Sequence, residues 1–243
     1  MYISKVKLSN SEYKYVIPFD PKEELIGCYD FLRVNHSVQN YAPWNTDILD
    51  KAHNLLSGIP TNKVVLDIGA HIGTFTSLAA VNEEHQFLAF EPNIESFIRL
   101  YATVKTNCWS NVSVFNVGIG QIKTDQDYSV ANLKIPLSEV SGYSSFGDSD
   151  KLGLYKLQSA IILDLFPKAF SPDDIGLIKI DAEAHSVSAL NALLGTIDLQ
   201  TTKPPIIIEL KGNELEYVSR ILGLTGYACT PIGDKDEDYL FTI

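Results

Sequence analysis

The most informative stretch of the sequence is VVLDIGAHIGTFT, residues 64–76. A run of mostly β-branched apolar residues ends in Asp67, and a turn containing Gly69 and Gly73 leads into a predicted helix. Glycines let the backbone approach a ligand closely, and the start of a helix offers free N–H groups. The stretch is therefore typical of a nucleotide-binding turn, with His71 where many such turns carry another glycine.

The acid in this turn argues against a dinucleotide. Dinucleotide sites use the spacing GxGxxG and place a pyrophosphate at the turn, where Asp67 would repel it. An NAD-dependent oxidoreductase is therefore disfavoured. An acid here suits a ligand with a positive end, and Glu91, which ends the next strand in AFEPN, can accept two hydrogen bonds from a ribose diol. With Gly69 and Gly73, these two acids predict S-adenosylmethionine as the cofactor.

Strand and helix patterns alternate from residue 63 onward. The predicted strands lie in KVVLDIG, QFLAFE, VSVFNVGIG, IGLIKIDAE and PPIIIEL, and the predicted helices cover 73–82, 93–107, 186–195 and 213–226. Such alternation is typical of an α/β fold with a parallel sheet and helices on both faces. The tail, 227–243, predicts two strands around a polar turn, which would add an antiparallel hairpin at the edge of the sheet.

The second helix has a defined start and a defined apolar side. Asn93 is a typical N-cap, because its side chain can accept a hydrogen bond from the first helical turn. Helical spacing places five large residues on one side: Ile94, Phe97, Ile98, Tyr101 and Val104. We expect this side to pack against the sheet.

Two further regions flank and interrupt the alternating pattern. Residues 1–60 predict an N-terminal cap, with strands in SKVKL and YKYVIPF and a helix in NTDILDKAHNLLSG, which leaves 61–243 as the cofactor-binding domain. Residues 119–165, rich in Ser, Gly, Asp and Tyr, have no strong helical period and predict a β-rich insertion. A long insertion in an α/β unit is often functional.

Composition narrows the classes of partner and the compartment. The formal net charge is −11, which argues against a nucleic-acid-binding face, since phosphate neutralisation needs clustered Lys and Arg. No apolar run is long enough to span a membrane, and the N-terminal residues contain no signal-peptide core. The three cysteines, Cys28, Cys108 and Cys229, stand far apart and predict buried reduced thiols. We therefore expect a cytoplasmic protein with no membrane insertion.

Five segments of the chain resemble the FkbM family of S-adenosylmethionine-dependent methyltransferases. They cover roughly residues 60–212 in the family's order: VVLDIGAHIGTFTSLAA, FLAFEPNIESFIRL, NVSVFNVGIG, LIKIDAEAHSVSAL and PIIIEL. LIKIDAEAHS resembles the family signature Ile-Lys-Ile-Asp-Val-Glu-Gly-Ala-Glu. The resemblance implies a Rossmann-like class I methyltransferase fold and O-methylation, in many members of sugar or polyketide hydroxyls. It leads us to expect that the cofactor contacts Asp67, Gly69, His71, Gly73, Glu91, Asn93 and Val117.

The chain departs from the family pattern near both predicted sites. His71 stands where the family usually has Asn, and Ala184, His185 and Ser186 replace the signature Gly-Ala-Glu. These departures leave open an alternative, namely a catalytically inactive methyltransferase-like subunit that binds or regulates. They also leave open an altered choice of acceptor.

The catalytic candidates lie at the end of the fourth predicted strand. Asp181 ends the strand and Glu183 follows two residues later, so both carboxylates would point to the same side if the chain stays extended. We favour these two acids for orienting an acceptor hydroxyl or accepting its proton, whereas His185 is either a third candidate or a capping or surface histidine. Asp181, Glu183 and Glu209 could also hold Mg²⁺, although carboxylates without an ion are favoured.

Candidate acceptor-binding residues lie in the insertion and in the cap. SGYSSFGDSD resembles a serine-containing stretch near the family's substrate pocket, so Tyr143, Ser144 and Ser145 either bind the acceptor or belong to an ordinary loop. In the cap, Tyr41 and Trp44 suit stacking on a sugar, but Trp44 equally suits a core anchor. Together the sequence predicts an S-adenosylmethionine-dependent O-methyltransferase that acts on a small-molecule or glycan acceptor, most simply a sugar hydroxyl.

Overall fold

The computed structural model describes residues 2–19, 40–41, 46–121, 128–136, 146, 155–163, 171–233 and 237–243. Among these, the N-terminal region forms a small sheet and a helix. Strand β1 (Tyr2–Lys7) pairs with β2 (Glu12–Ile17) in antiparallel fashion and with β3 (Asn40–Tyr41) in parallel, and helix α1 (Thr46–Ser57) follows. The cap strands and helix predicted from the sequence are thus present.

The remaining strands include the predicted alternation with helices, interrupted by the consecutive strands β7, β8 and β9 of the insertion and ended by the C-terminal hairpin. In chain order the strands are β4 (Val64–Ile68), β5 (Gln86–Phe90), β6 (Val112–Phe115), β7 (Gly118–Ile119), β8 (Tyr128–Pro136), β9 (Tyr155–Leu163), β10 (Ile175–Ile180), β11 (Ile206–Glu209), β12 (Ala228–Pro231) and β13 (Asp238–Thr242). The helices are α2 (Ile94–Thr106), α3 (Ser186–Leu194) and α4 (Glu214–Gly223). Short 3₁₀ helices cover Thr76–Ala80, Pro172–Asp174 and Glu183–His185.

Seven strands form the main sheet, in the order β12-β13-β11-β10-β4-β5-β6. Neighbouring strands are parallel from β11 to β6, whereas β13 runs antiparallel to both β11 and β12. The C-terminal hairpin is therefore present at the edge, with β13 inside β12. The mostly parallel, Rossmann-like α/β sheet predicted from the sequence is confirmed.

The two faces of the sheet are covered by different helices. Val65 and Leu177 pack in one hydrophobic cluster with α1 and the cap strands, whereas Leu66 and Ile178 pack in another with α3 and α4. Because both faces are covered, all five residues of β4 and all six of β10 are buried. This explains why both strands read as nearly continuous apolar runs.

The strand order reverses between β4 and β10. From β4 the chain proceeds through β5 to β6 on one side, and β10 then returns to pair with the other side of β4. In open α/β sheets, ligands bind in the crevice at the carboxyl ends of the strands beside such a switch point. The turn after Asp67 and the end of β10 at Asp181 both lie there.

The insertion contributes a separate three-stranded sheet, in the order β7-β9-β8. Leu133, Ile135 and Ala160 are buried in it together, and Phe146 packs against them. Gln158 of β9 ties this sheet to the segment after β5, because its Nε2 donates to the Pro92 carbonyl (2.8 Å) and its Oε1 accepts from the Ile94 N–H (3.1 Å). The insertion is thus attached next to the switch point.

The predicted helix over 73–82 is wrong in length and type. Residues 76–80 form a 3₁₀ helix instead. His71 and Gly73 have left-handed backbone conformations (φ 51° and 95°), which a right-handed α-helix cannot include. The turn therefore extends further along the chain than the apolar pattern indicates.

The predicted apolar side of α2 is also wrong at Ile94, Ile98 and Tyr101, whereas Val104 is buried and Phe97 is half-buried. Ile98 is 58% exposed, and Ile94 and Tyr101 are at least 40% exposed within the described structure. The buried side carries Ser96, Leu100, Thr103 and Val104. Leu100 and Val104 make the apolar contacts of this side, in a cluster with Ala70 and Ala89.

The cysteines differ from expectation as well. Cys108 and Cys229 are free thiols on the surface rather than buried ones, and Cys28 lies outside the described residues. In the part of the chain that the structure describes, no helix is long and apolar enough to cross a membrane.

Truncation of Leu100 tests the corrected orientation of α2. Leu100 is fully buried, so Leu100→Ala is expected to lower the free energy of unfolding by about 2–5 kcal/mol. Ile98→Ala on the same helix is the matched control and should change it by less than about 0.5 kcal/mol, because Ile98 is mostly exposed. Denaturant unfolding measures both values. A larger loss of stability in Ile98→Ala than in Leu100→Ala would show that α2 packs with the side predicted from the sequence.

Candidate active site

The turn after β4 is wedged between the ends of two neighbouring strands. The Gly69 and Ala70 N–H groups both donate to the Phe90 carbonyl at the end of β5 (3.0 Å each). Gly69 has φ 78°, and a Cβ atom at this position would lie 1.8 Å from the carbonyl oxygen of Asp181. Only glycine therefore fits between the turn and the end of β10.

Glu91 is buried directly beside this turn and organises the backbone around it. Its Oε2 accepts from the His71 N–H and its Oε1 from the Asn93 N–H, both at 2.8 Å. Asn93 caps α2, as predicted, by accepting from the Glu95 N–H. Asn116 donates to the Glu91 and Pro92 carbonyls at 2.8 and 3.1 Å. The end of β5 is thus a fixed acidic corner at the switch point.

Asp67 is fully buried and lies in the interior of the same corner. Its Oδ2 accepts from the Thr76 hydroxyl at 2.6 Å, and its Oδ1 lies 3.5 Å from the Lys179 Nζ. Burial raises the pKa of Asp67, and the charge of Lys179 and the Thr76 hydrogen bond act against this rise. Among described residues, Oδ1 therefore has Lys179 as its charged neighbour, in an ion pair longer than an ordinary hydrogen bond.

The three acids predicted at the ends of β10 and β11 come together. One carboxylate oxygen each from Asp181, Glu183 and Glu209 lies within 4.8 Å of the others. Asp181 is the most open, with 41% of its side chain exposed, compared with 20% for Glu183 and 11% for Glu209. The sheet thus presents a carboxylate cluster next to the turn of residues 69–73, the cofactor turn.

The expectation of an extended chain from Asp181 to Glu183 is wrong. Glu183 begins a 3₁₀ turn and has a left-handed conformation with φ 52°. Such a conformation is costly for a residue with a side chain and is concentrated at functional sites. The two carboxylates meet because the turn folds back, not because strand alternation places them on one side.

Lys211, which the sequence analysis missed, neutralises part of this cluster. Its Nζ donates to Glu183 Oε2 at 2.6 Å and lies 3.4 Å from Glu209 Oε1. Burial raises the pKa of Glu209, and the nearby charges of Asp181 and Glu183 raise it further. Burial also raises the pKa of Glu183, although Lys211 opposes this. The cluster thus favours proton uptake at Glu183 and Glu209. The alternative that these acids hold Mg²⁺ remains a prediction, and it is still the less favoured one.

Both histidines at the site favour the neutral form. Burial lowers the pKa of His71 to about 4 and also lowers that of His185. The His185 ring meets the edge of Phe146, with 5.4 Å between ring centroids, and among described residues its buried Nδ1 has no hydrogen-bond partner. His185 lies just before α3, as predicted, and connects the site to the insertion.

The structure gathers most, but not all, of the predicted site residues. Val117 lies at the end of the β6–β7 connection and is half-buried against the sheet core. Tyr143, Ser144, Ser145 and Trp44 lie outside the described residues, and of Tyr41 only the backbone in β3 is described. Lys179 and Lys211 are the charged residues that sequence reasoning missed. A lysine inside the apolar strand LIKI was the available signal for the first of them.

The residues around the turn fit S-adenosylmethionine. Gly69 and Gly73 form the glycine turn, and Glu91 offers carboxylate oxygens at the end of the neighbouring strand. The buried Asp67 carboxylate, which pairs with Lys179, lies at the end of β4 beside them. These features combine backbone that a ligand can approach with acids that suit a cofactor bearing a positive sulfonium and amino group.

Comparison with known protein families agrees with this geometry. The model of the methyltransferase FkbM domain matches residues 67–228. The chain therefore belongs to the FkbM family of methyltransferases, and its cofactor is S-adenosylmethionine. No curated protein sequence matches it significantly.

Several solved structures resemble the fold at low sequence identity. Precorrin-6y C5,15-methyltransferase from Geobacter metallireducens is 13% identical, with 88% of this chain and 93% of that chain covered and a TM-score of 0.47. A SAM-dependent methyltransferase from Aquifex aeolicus is also 13% identical, with 92% and 97% covered and a TM-score of 0.47. TYW2 from M. jannaschii, in complex with AdoMet, is 13% identical, with 82% and 74% covered and a TM-score of 0.43.

Protonation of Glu91 is expected to weaken cofactor binding as the pH falls. Burial raises the pKa of Glu91 to about 7, while the N–H groups of Asn93 and His71 oppose the rise. A protonated carboxyl loses acceptor capacity for ribose hydroxyls, so the dissociation constant of S-adenosylhomocysteine should rise about tenfold from pH 8 to pH 6. Isothermal titration calorimetry measures this change. Glu91→Gln should bind weakly at every pH, and a flat wild-type profile would contradict the predicted role of Glu91.

Proposed function

We propose that the protein is an S-adenosylmethionine-dependent O-methyltransferase whose acceptor is a hydroxyl group of a sugar or glycan. The observation that carries this proposal is the position of the carboxylate cluster of Asp181, Glu183 and Glu209. It lies at the carboxyl ends of β10 and β11, beside the cofactor turn that Gly69 forms against Asp181. An alcohol is a weak acid, so a group that orients it and accepts its proton assists the transfer.

The proposed roles follow from the exposure and partners of each acid. When bound, S-adenosylmethionine supplies a methyl group on a positive sulfonium. In this proposal Asp181, the most exposed of the three acids, accepts a hydrogen bond from the acceptor hydroxyl. Glu183 takes up the hydroxyl proton in this proposal, and burial supports that role because it raises the pKa of Glu183 above that of an ordinary carboxyl group. Lys211 holds the Glu183 carboxylate in position.

The charge around the cluster favours a neutral acceptor over a phosphorylated one. Glu237 and Asp238 add further negative charge near Glu183 and Glu209. A phosphate group would meet this charge with Lys179 and Lys211 already engaged by carboxylates. Neutral hydroxyls, in contrast, can donate hydrogen bonds to carboxylate oxygens. This supports a sugar over a nucleic acid, and Tyr41, Trp44, Tyr143, Ser144 and Ser145 remain proposed contacts to it.

A methyl-transfer panel tests the acceptor class. Purified protein is incubated with S-adenosylmethionine carrying a labelled methyl group and with neutral sugars and glycans, sugar phosphates, or RNA. We expect the label in a neutral sugar or glycan. Preferential labelling of RNA or a sugar phosphate would overturn the proposal. Binding of S-adenosylhomocysteine without transfer to any acceptor would favour the inactive binding or regulatory subunit instead.

A further inference from the structure

A lysine lies at the centre of the switch point, inside the sheet. Lys179 pairs in register with Asp67 across β10 and β4, and only 7% of its surface is exposed. Its ammonium group lies 5.9 Å from the centre of the Phe75 ring, next to the cofactor turn. Lysines are almost never this buried unless their charge is paired.

The ammonium group connects the two segments that form the candidate site. It donates to the Gly69 carbonyl at 3.2 Å and lies 3.3 Å from Asp181 Oδ2 and 3.5 Å from Asp67 Oδ1. Burial alone would lower the pKa of Lys179, but the carboxylates of Asp181 and Asp67 raise it above the ordinary value, so the group stays charged. One cation therefore contacts the turn, the end of β4 and the end of β10.

A contribution to folding stability does not by itself explain the buried ion-pair network around Lys179. Apolar residues of similar size often replace a buried ion-pair network with no loss of stability, because desolvation offsets the attraction between the charges. The network does fix the Gly69 carbonyl and the Asp181 carboxylate at defined distances from one atom. The Lys179 ammonium group also offsets the negative charge of Asp67 and Asp181 beside the cofactor. This charge matters because S-adenosylmethionine is positive at its sulfonium, whereas S-adenosylhomocysteine has lost that charge.

We propose that Lys179 is a positioning residue, which holds the cofactor turn against the end of β10 and sets the charge that the cofactor meets there. This inference rests on the cofactor and not on the identity of the acceptor. Lys179 acts through Gly69, Asp67 and Asp181. Its removal should therefore loosen the cofactor turn and leave the carboxylates without their cation.

The test compares binding of S-adenosylmethionine and S-adenosylhomocysteine by calorimetry. Lys179→Met keeps the length of the side chain and removes its charge. We expect it to weaken S-adenosylhomocysteine binding by about tenfold or more, the scale of a lost hydrogen bond to a charged group. Binding of S-adenosylmethionine should weaken less, by about threefold or more, because loss of a nearby cation favours a positive ligand over a neutral one.

Two further variants separate positioning from general destabilisation. Lys179→Arg keeps the charge and should restore the wild-type ratio of the two dissociation constants. Lys63→Met removes a half-buried lysine just before β4, at the opposite end of that strand, where its Nζ donates to the Asp173 carbonyl. It should change neither affinity.

Two results would overturn the proposal. One is a Lys179→Met variant with wild-type affinity for both ligands. The other is equal weakening of both ligands, which is the result expected if Lys179 only stabilises the fold. Because no acceptor enters this experiment, failure of sugar methylation with intact cofactor binding contradicts the proposed function and leaves the role of Lys179 standing.

Discussion

Gly69→Ala is expected to abolish measurable binding of S-adenosylhomocysteine. The new Cβ atom would lie 1.8 Å from the carbonyl oxygen and 2.7 Å from the carbonyl carbon of Asp181, and both are backbone atoms that cannot rotate away. The turn and the end of β10 must then separate. The backbone N–H and carbonyl groups of the turn would then lose their positions against the cofactor, and two lost hydrogen bonds to a charged ligand correspond to about a hundredfold in affinity. We expect at least that loss of affinity and about 2–4 kcal/mol less free energy of unfolding.

Gly226→Ala is the matched control for the backbone strain of this substitution. Gly226 also has a left-handed conformation (φ 93°), but an added Cβ would meet only the Lys203 Nζ, at 3.7 Å. It should cost about 1–2 kcal/mol of stability and leave cofactor affinity unchanged. Calorimetry and denaturant unfolding on both variants give the comparison. Equal affinity of the two variants would show that the turn does not hold the cofactor.

The second large effect is expected from Glu183→Gln. The substitution keeps the size of the side chain but removes its ability to accept a proton, so kcat should fall by about a hundredfold to ten-thousandfold. The affinity for S-adenosylhomocysteine should stay within about twofold of wild type. Glu183 lies in the 3₁₀ turn after β10, outside the cofactor turn, and its carboxylate pairs with Lys211. The assay uses the acceptor identified by the methyl-transfer panel.

Glu214→Gln controls for the loss of a carboxylate near Lys211. Glu214 Oε2 accepts from the Lys211 backbone N–H at 2.8 Å, at the start of α4 and outside the carboxylate cluster. Its replacement should leave kcat unchanged. If Glu183→Gln retained wild-type kcat, proton uptake by Glu183 would be ruled out.

Local sequence signals were sufficient to predict the strands, the turn and the helix cap around the cofactor site. The apolar strands, the acid at the end of β4 and the glycine turn are read from adjacent residues, and so is the Asn93 cap. The meeting of Asp181 and Glu209 follows in the same way, since parallel strands bring their carboxyl ends to one edge. These features depend on chain direction and periodicity, which the sequence carries directly.

The features that were missed depend on contacts between distant segments. The orientation of α2 depends on which side approaches the sheet, and that side carries Ser96 and Thr103 beside Leu100, a pattern that apolar periodicity does not single out. The pairing of Lys211 with Glu183 joins residues 28 positions apart. The left-handed conformation of Glu183 has no signal in the adjacent residues. Lys179 could be suspected as a charge in a buried strand, but its three partners are visible only in the fold.

The most direct test of the central claim is to identify the atom that receives the methyl group. Protein supplied with S-adenosylmethionine carrying a ¹³C-methyl group and with the sugar panel is analysed by NMR, in which the methyl resonance distinguishes an ether from an N-methyl or C-methyl product. We predict an O-methyl ether on a neutral sugar, formed by the wild-type protein and strongly reduced in Glu183→Gln. A methyl group on nitrogen or carbon, or on a nucleic acid, would contradict the account.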